Sequence, residues 1–429
     1  MTGASVRRSL PASLREPGPF RYLFWGQALS VLGDRVVPVA IAFGVLGIGS
    51  TTDLGFVLAA GGIPFALFAI VGGVLSGRLG RRNVMIAADV LRAVVQVLTA
   101  TLLITGSAEV WMLAVLSFAY GLSAASFMPA FMGLIPQVVP PGRLQEANAL
   151  ISLTRSVANV AGPVLAGAII ALSGPGQAIA VDALTFVISA ACLLRLRVPV
   201  RATEPGRAAD ASGFVAALRE GWQEVRSRSW LRWGLVAMAS YHVFVLPAVL
   251  VLGPTLAQRD LGGASSWAAI VACWGAGSIV GNVIALRLPV RRPVFVAALA
   301  LVGASLQAAI IGSGLGTIGI AGLQTLSGIC VALFFTLWDM SIQEQVPPAA
   351  ISRVSSYDFT SSMGLMPIGM AIAGPVADAI GLQTTLIAMS VLGVVSALAW
   401  LAQPSVRQLQ RPEHDAVAGA DRPAEAAAA

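Results

Sequence analysis

Long apolar stretches separated by short polar connections run along the chain from about residue 20 to about residue 402. A helix needs about 20 mostly apolar residues to cross the hydrocarbon part of a bilayer, and each stretch has roughly that length. The stretches lack the alternation of apolar and polar residues expected of transmembrane strands, so we predict helices. Twelve spans are predicted, at residues 20–47, 53–77, 84–106, 110–136, 146–172, 178–196, 230–256, 264–286, 293–313, 316–342, 354–377 and 382–402.

A polar stretch of sequence divides the twelve spans into two groups of six. It begins as a linker rich in Pro, Ala and Arg, and continues as an amphipathic helix with Phe214, Leu218, Trp222 and Val225 on one face. This pattern is typical of a helix that lies in the membrane interface, and a regulatory partner helix is the alternative. The predicted segments are a cytoplasmic tail (1–19), a six-helix bundle (20–196), a cytoplasmic linker (197–229), a second six-helix bundle (230–403) and a disordered cytoplasmic tail (404–429).

The two groups of spans also resemble each other in sequence. A shift of 207 positions places Gly121 and Pro140 on Gly328 and Pro347. Six helices followed by six related helices in the same orientation form a parallel repeat about an axis normal to the membrane. We therefore predict an all-α polytopic membrane protein built of two six-helix bundles, which can rock against each other about a central site.

The composition and the charge agree with this class of protein. Hydrophobic residues make up 57% of the chain and charged residues 11%, whereas soluble domains have about 25% charged residues. The formal net charge is +7, and all 27 basic residues are Arg. Twenty-three of them fall on one side of the predicted membrane, which the positive-inside rule assigns to the cytoplasm together with both termini. The positive charge therefore indicates membrane topology rather than a nucleic-acid partner. Because the chain has no Lys, it cannot form the Gly-Lys-Ser/Thr phosphate loop of a P-loop ATPase.

No cofactor and no metal site are expected. Cys192, Cys273 and Cys330 are scattered through apolar stretches without the spacing of a metal site or a disulfide framework. Only two His residues occur, and His414 lies in the predicted tail. A near-match to a dinucleotide fingerprint begins at Gly314, but no strand precedes it, so a nucleotide cofactor is not predicted.

The loop after the second span reads Gly73-Val-Leu-Ser-Gly-Arg78-Leu-Gly80-Arg81-Arg82. It resembles the loop signature of the major facilitator superfamily. The fourth span and the loop after it, residues 127–150, are similar to the branch of that superfamily that holds macrolide-efflux and enterobactin-exporter proteins. The resemblance implies secondary transport by alternating access, with Gly73, Arg78, Gly80, Arg81 and Arg82 in a cytoplasmic gate.

One position of the loop signature departs from the family: Gly77 stands where the family has Asp. Asp89 and Arg92, one turn apart in the third span, are predicted to supply part of the gate in its place. Three further charged residues near the cytoplasmic rim of spans 10 and 11 are assigned to the gate: Asp339, Arg353 and Asp358.

The fifth span carries part of the signature of the antiporters in this superfamily. Gly162 and Pro163 are present, but Ala166 stands where a Gly precedes Gly167 in the family. The small residues predict close packing of this helix against its neighbours. In the fourth span Ser117 replaces the Arg that antiporters of the family often have. Proton exchange is thus implied by an incomplete signature.

Two charges lie deep in the predicted spans and are the main candidates for substrate binding or proton coupling. Asp34 is about 14 residues into the first span, roughly 21 Å along the helix, and shares a face with Gln27. Arg155 lies in the fifth span on a polar stripe that includes Asn159. An ionisable group at such depth is costly and is functional by default, although a structural ion pair is the alternative for Asp34. We predict that Arg155 pairs with Asp34 in one conformation and releases it in another.

Three further side chains are candidates for the same site. His242 in the seventh span is the one predicted intramembrane group that titrates near neutral pH without help, although a packing role is the alternative. Tyr120 and Trp274 can line an aromatic cavity, or can fill ordinary helix interfaces.

The sequence therefore predicts an exporter of a small hydrophobic or amphipathic compound (a drug, secondary metabolite or siderophore), coupled to proton antiport. It would act as a monomer in the plasma membrane of a bacterium, since the Lys-free and Ala-rich composition is that of a GC-rich genome. A facilitator or importer of a small polar solute is the alternative within transport. A membrane enzyme or a sensor is the alternative from other classes, but no catalytic cluster or signalling domain supports either.

Overall fold

The computed structural model describes residues 18–140, 142–196, 211–288 and 290–411, with the side chains of residues 65, 66, 68–78, 211–218, 349 and 352 outside the description. The described residues are almost entirely helical. The helices of the first half are α1 (Pro19–Leu46), α2 (Thr51–Leu79), α3 (Arg81–Thr105), α4 (Val110–Val138), α5 (Leu144–Ser173) and α6 (Pro175–Arg195). Those that follow are α7 (Ala211–Ser227), α8 (Ser229–Asp260), α9 (Ala264–Arg287), α10 (Pro293–Ile311), α11 (Thr317–Gln345), α12 (Arg353–Ile380), α13 (Leu382–Leu401) and α14 (Pro404–Gln408).

The predicted spans correspond to twelve of these helices, each ending within a few residues of its expected bounds. Eleven of the helices are long and apolar enough to cross a membrane within the described part of the chain. The twelfth is α2, a helix of 29 residues whose only charges are Asp53 and Arg78. The all-α, twelve-helix fold predicted from the pattern is confirmed. Most of the predicted tails and the first part of the linker, residues 1–17, 197–210 and 412–429, lie outside the described residues.

The sequence repeat is also a repeat of structure. Helices α4 and α11 have bounds that differ by the same 207 positions as the sequence match. In the first bundle Gly121 of α4 lies against the carbonyl oxygen of Gly61 in α2. In the second bundle Gly328 of α11 lies against the carbonyl oxygen of Trp274 in α9. Equivalent glycines thus let equivalent helix pairs approach at backbone distance, which explains why these positions match between the halves.

The two bundles meet through two pairs of helices, α2 with α12 and α5 with α9. A hydroxyl hydrogen bond from Thr52 Oγ1 to Asp378 Oδ2, 2.6 Å long, joins the first pair. In the second pair, Gly167 packs against Ala268. All four residues lie towards the same side of the helix bundle. It is the side opposite to the one where α1 begins and α13 ends. The bundles are therefore in contact in the half of the molecule that the positive-inside rule assigns to the outside.

Helix α8 departs from regular α-geometry where the sequence has Pro247. Two π-helical turns, Tyr241–Val245 and Ala248–Leu252, lie on either side of that residue. Proline lacks the N–H that an α-helix needs and its ring crowds the preceding turn, so the helix widens locally. His242 lies in the first of these turns.

The amphipathic part of the linker is the helix α7. Val225 is buried, and the ring of Trp222 lies 5.9 Å from that of Tyr357 near the start of α12. Glu220 forms an ion pair with Arg353 in the same region. One side of α7 therefore packs on the second bundle. Of its predicted apolar face, Phe214 and Leu218 have side chains outside the described part, and a position in the membrane interface stays a prediction.

Candidate functional site

A cavity of about 300 Å³ opens inside the first bundle, between α1, α3, α4 and α5. Its apolar wall is formed mainly by Phe24, Phe127 and Phe131 together with aliphatic residues. Its polar wall consists of Gln27, Asp34, Arg35, Arg92, Tyr120, Thr154 and Arg155. Four of the seven residues predicted to bind substrate or protons thus line one cavity: Gln27, Asp34, Tyr120 and Arg155.

Asp34 is half-buried on the cavity wall, and its carboxylate is held by a residue of another helix. The phenol of Tyr120 in α4 donates a 2.6 Å hydrogen bond to Asp34 Oδ1. The ring of Tyr120 in turn lies edge-on to Phe186 of α6, at 6.1 Å between centroids. The carboxylate is therefore fixed in position by a neutral donor, which leaves its second oxygen for a ligand or a proton.

Arg92 faces the same cavity from α3. Its guanidinium carbon lies over three aromatic rings, 4.7 Å from the centre of Phe127, 5.3 Å from Phe186 and 5.6 Å from Tyr120. Its Nε donates a 3.2 Å hydrogen bond to Ser123. Ring faces attract a cation, so this aromatic cage holds a guanidinium that is almost completely removed from water.

Behind the cavity wall, two carboxylates are fully buried between α1, α3 and α6. Ser189 donates a 2.6 Å hydrogen bond to Asp89, and Gln27 donates one of 3.1 Å to Ser189. Gln96 donates a 2.6 Å hydrogen bond to Asp182. Both carboxylates interact electrostatically with Arg92, although neither forms a direct ion pair with it within the described residues. A hydrogen-bonded chain thus connects the cavity wall at Gln27 with the buried Asp89.

This buried network was only partly foreseen. Asp89 and Arg92 were predicted to be part of the cytoplasmic gate. In the structure Arg92 lies on the cavity wall and Asp89 beside it, two turns or more from the loop, and a gating role for them stays a prediction. Asp89, Arg92, Gln96 and Thr99 recur at intervals of three or four residues and are all buried. This polar stripe is the feature of the sequence from which an inward-facing polar side of α3 can be predicted.

The predicted partners Asp34 and Arg155 share the cavity but do not form an ion pair in this conformation. Arg155 makes no hydrogen bond or ion pair with any described residue. Its main electrostatic interaction with another charged group is repulsion by Arg35. The pairing of Arg155 with Asp34 therefore stays a hypothesis about another conformation.

Three predicted site residues lie elsewhere. Asn159 is at the contact of α5 with α9, where its carbonyl oxygen meets Gly275. His242 is fully buried in the second bundle, with Nδ1 2.9 Å from the carbonyl oxygen of Met238 and Nε2 without a partner among the described residues. Trp274 packs against α11 at Gly328, as noted above, and its indole N–H is likewise buried and unpaired within the described part.

The basic loop between α2 and α3 binds helix ends of its own bundle. Arg82 donates hydrogen bonds of 2.8 Å to the carbonyl oxygens of Leu193 and Leu194, in the last turn of α6. Arg81 donates to the carbonyl oxygen of Gly133 in α4. A cation at a helix C-terminus satisfies free carbonyl groups and the negative end of the helix dipole. Gly80 adopts a φ of 83° to make the turn. Gly73 and Arg78 belong to the end of α2, where the side chain of Arg78 lies outside the description.

The other predicted gate residues gather where α11, α12 and α7 meet. Trp338 donates a 2.8 Å hydrogen bond from its indole nitrogen to Asp358. Asp339 is exposed and close enough to Asp358 to repel it electrostatically. Arg353 forms an ion pair with Glu220 of the linker helix α7. The region therefore connects the linker with the second bundle, and a gating role for it stays a prediction.

The small residues of α5 face two different helices. A β-carbon on Gly162 would overlap Arg35 of α1, within the first bundle. Gly167 contacts Ala268 of α9, across the interface between the bundles. Pro163 is buried beside them. Close approach on both sides therefore requires small residues, as the sequence pattern predicted.

Two repeated six-helix bundles, with a polar and aromatic cavity at mid-depth, define a secondary transporter. The family model of the Major Facilitator Superfamily matches residues 23–358. The chain belongs to the major facilitator superfamily, which confirms the predicted class, a membrane transporter and not an enzyme.

Similarity to individual proteins is more distant. The chain is 24% identical to macrolide efflux protein A of Streptococcus pyogenes, over 84% of this chain and 90% of that protein. It is 26% identical to the multidrug efflux pump Tap of Mycolicibacterium fortuitum, over 88% of this chain and 95% of that protein. Among solved structures, the nucleoside transporter NupG has the same fold, with a TM-score of 0.69, 14% identity, and coverage of 91% of this chain and 99% of that one.

Proposed function

We propose that this transporter exports a small hydrophobic or amphipathic compound by alternating access, in exchange for protons. One observation carries the proposal: a cavity with an aromatic wall contains a carboxylate, Asp34, that is positioned by a phenol rather than neutralised by an ion pair. A drug-sized compound needs mostly apolar walls and a few fixed polar groups. A carboxylate that is open to such a cavity can take up and release a proton as access alternates.

The efflux relatives support export, because both are named as efflux proteins. The fold alone does not, since NupG is a nucleoside transporter with the same architecture. An importer or facilitator of a small polar solute is therefore the second candidate. We further propose that the protein acts as a monomer in a bacterial plasma membrane. The Arg distribution supports a cytoplasmic position for both termini.

The test is transport into everted membrane vesicles over a panel of lipophilic fluorescent compounds, with and without a pH gradient. For Asp34→Asn we expect the stimulation by the gradient to fall at least about tenfold, which corresponds to about 1.4 kcal/mol, because the amide cannot carry a proton. Exchange of labelled for unlabelled compound without a gradient should continue, since it requires no net proton movement.

The matched control is Asp260→Asn, which removes an exposed carboxylate at the outer end of α8 and should leave gradient stimulation unchanged. Full gradient dependence in Asp34→Asn would show that the proton is carried elsewhere. Uptake that occurs only in right-side-out vesicles would identify an importer and refute export.

A further inference from the structure

The charges on the cavity wall indicate which compounds the site accepts. Four charged side chains line it: one carboxylate, that of Asp34, and the guanidinium groups of Arg35, Arg92 and Arg155. From this excess of positive charge we infer that the cavity binds a small amphipathic anion, an apolar body that carries a carboxylate, phenolate or sulfonate group. The inference rests on the proposed function, because it names the substrate class of the same site.

The buried carboxylates Asp89 and Asp182 lie behind the wall and do not line the cavity, so the excess of positive charge is a property of the cavity lining. Arg92 is the cation that interacts with the buried Asp89 and Asp182, and its guanidinium group is also held by the aromatic cage. Removing it from the count still leaves two guanidinium groups, Arg35 and Arg155, against the single carboxylate of Asp34.

Those two guanidinium groups have no partner among the residues that the structure describes. Neither Arg35 nor Arg155 forms a hydrogen bond or an ion pair with any described residue, and their like charges act on each other. Arginine stays protonated in proteins, so this repulsion cannot be relieved by loss of a proton. A bound anion relieves it, and the planar N–H groups of Arg suit two-pronged bonds to a carboxylate or a sulfonate.

The remaining carboxylate does not favour a cation. One oxygen of Asp34 already accepts the phenol hydrogen of Tyr120, and a cation beside it would also face the two guanidinium groups. The apolar body has its own place, since Phe24, Phe127 and Phe131 line the same cavity. At about 300 Å³, the cavity is at the lower end of the range for small-molecule sites, which fits a compound of a few fused rings.

An anionic substrate also constrains the coupling. Because an anion and a proton attract each other, exchange requires that the anion leaves on the outside before a proton binds at Asp34. The interior-negative membrane potential would drive the anion outward in addition, by about 2.3 kcal/mol per charge for each 100 mV.

The experiment measures binding of three fluorescent probes with the same ring system to the purified protein in nanodiscs. They are 1-pyrenebutyrate, its neutral amide and 1-pyrenebutylammonium. We expect the anion to bind at least about tenfold more tightly than the cation, a difference of about 1.4 kcal/mol. Arg155→Gln should weaken binding of the anion about tenfold and leave the cation unchanged or improved, and Arg155→Lys should keep part of the preference.

The matched control is Arg259→Gln, at the exposed outer end of α8, which should bind all three probes as the unchanged protein does. Tighter binding of the cation or the amide, or equal loss of all three probes in Arg155→Gln, would overturn the inference. If the vesicle assay then showed export of a cationic compound, the inferred substrate class would be wrong but the proposed function would still be supported. If none of the three probes bound and no compound of the vesicle panel was transported, both the inferred substrate class and the proposed function would be contradicted.

Discussion

Cross-linking residues 52 and 378 is expected to stop transport, because it joins α2 and α12 at the outer ends where the bundles touch. Thr52 and Asp378 are hydrogen-bonded across this interface at 2.6 Å, and alternating access requires that these ends separate. In a background with Cys192, Cys273 and Cys330 replaced by Ala, we expect Thr52→Cys with Asp378→Cys to lose more than about nine-tenths of transport after treatment with a short bis-thiosulfonate, which joins the two thiols through reducible disulfides. Cleavage of the cross-link by a reductant should restore it, as measured in vesicles.

The control is a cross-link within one bundle. Thr336 in α11 donates a 3.2 Å hydrogen bond to Asn282 in α9, and both helices belong to the second bundle. Joining these positions in the same way should leave most of the transport intact, because the bundles move as units. If the outer cross-link forms and transport continues, the outer ends do not separate and the rocking motion is wrong.

A single methyl group at Gly328 is the second substitution for which we expect a large effect. Its β-carbon would overlap the carbonyl oxygen of Trp274, so Gly328→Ala has to push α9 and α11 apart along their closest contact. Overpacking of this kind costs about 1–3 kcal/mol. The thermal unfolding midpoint of the detergent-purified protein should therefore fall by several degrees, as followed by tryptophan fluorescence.

The same helix provides the matched control for this substitution. Gly322 also lies in α11, but a β-carbon there would have no neighbour within 4 Å among the described residues. Gly322→Ala should leave the midpoint unchanged or raise it, since Ala favours a helix over Gly by up to about 1 kcal/mol. Gly121→Ala should repeat the loss in the first bundle because Gly121 packs on Gly61. Equal midpoints for the Gly328 and Gly322 variants would show that the close contact is not stabilising.

Most of the differences between the predicted and observed sites follow one pattern. The exceptions are Tyr120, which was predicted from its chemical type and lines the cavity, and Asn159, which was predicted from its helical stripe and lies elsewhere. Residues predicted from depth along a single helix, such as Asp34 and Arg155, do line the cavity. Residues predicted from their chemical type alone, such as His242 and Trp274, are packed inside the second bundle. Depth is set by position within a span, whereas the direction of a side chain depends on how each helix is rotated against its neighbours.

The sequence by itself determined the helices, their number and the twofold repeat. These features follow from local properties: the bilayer demands about 20 apolar residues per span, and small residues recur at the same places in both halves. Only the tertiary structure decided which polar groups meet. Tyr120 and Asp34 are 86 positions apart, as are Gln96 and Asp182, and periodicity within one helix carries no information about a partner on another. The cavity, its aromatic cage and the guanidinium groups that have no partner among the described residues exist because five helices pack with particular rotations. The separate spans do not specify those rotations.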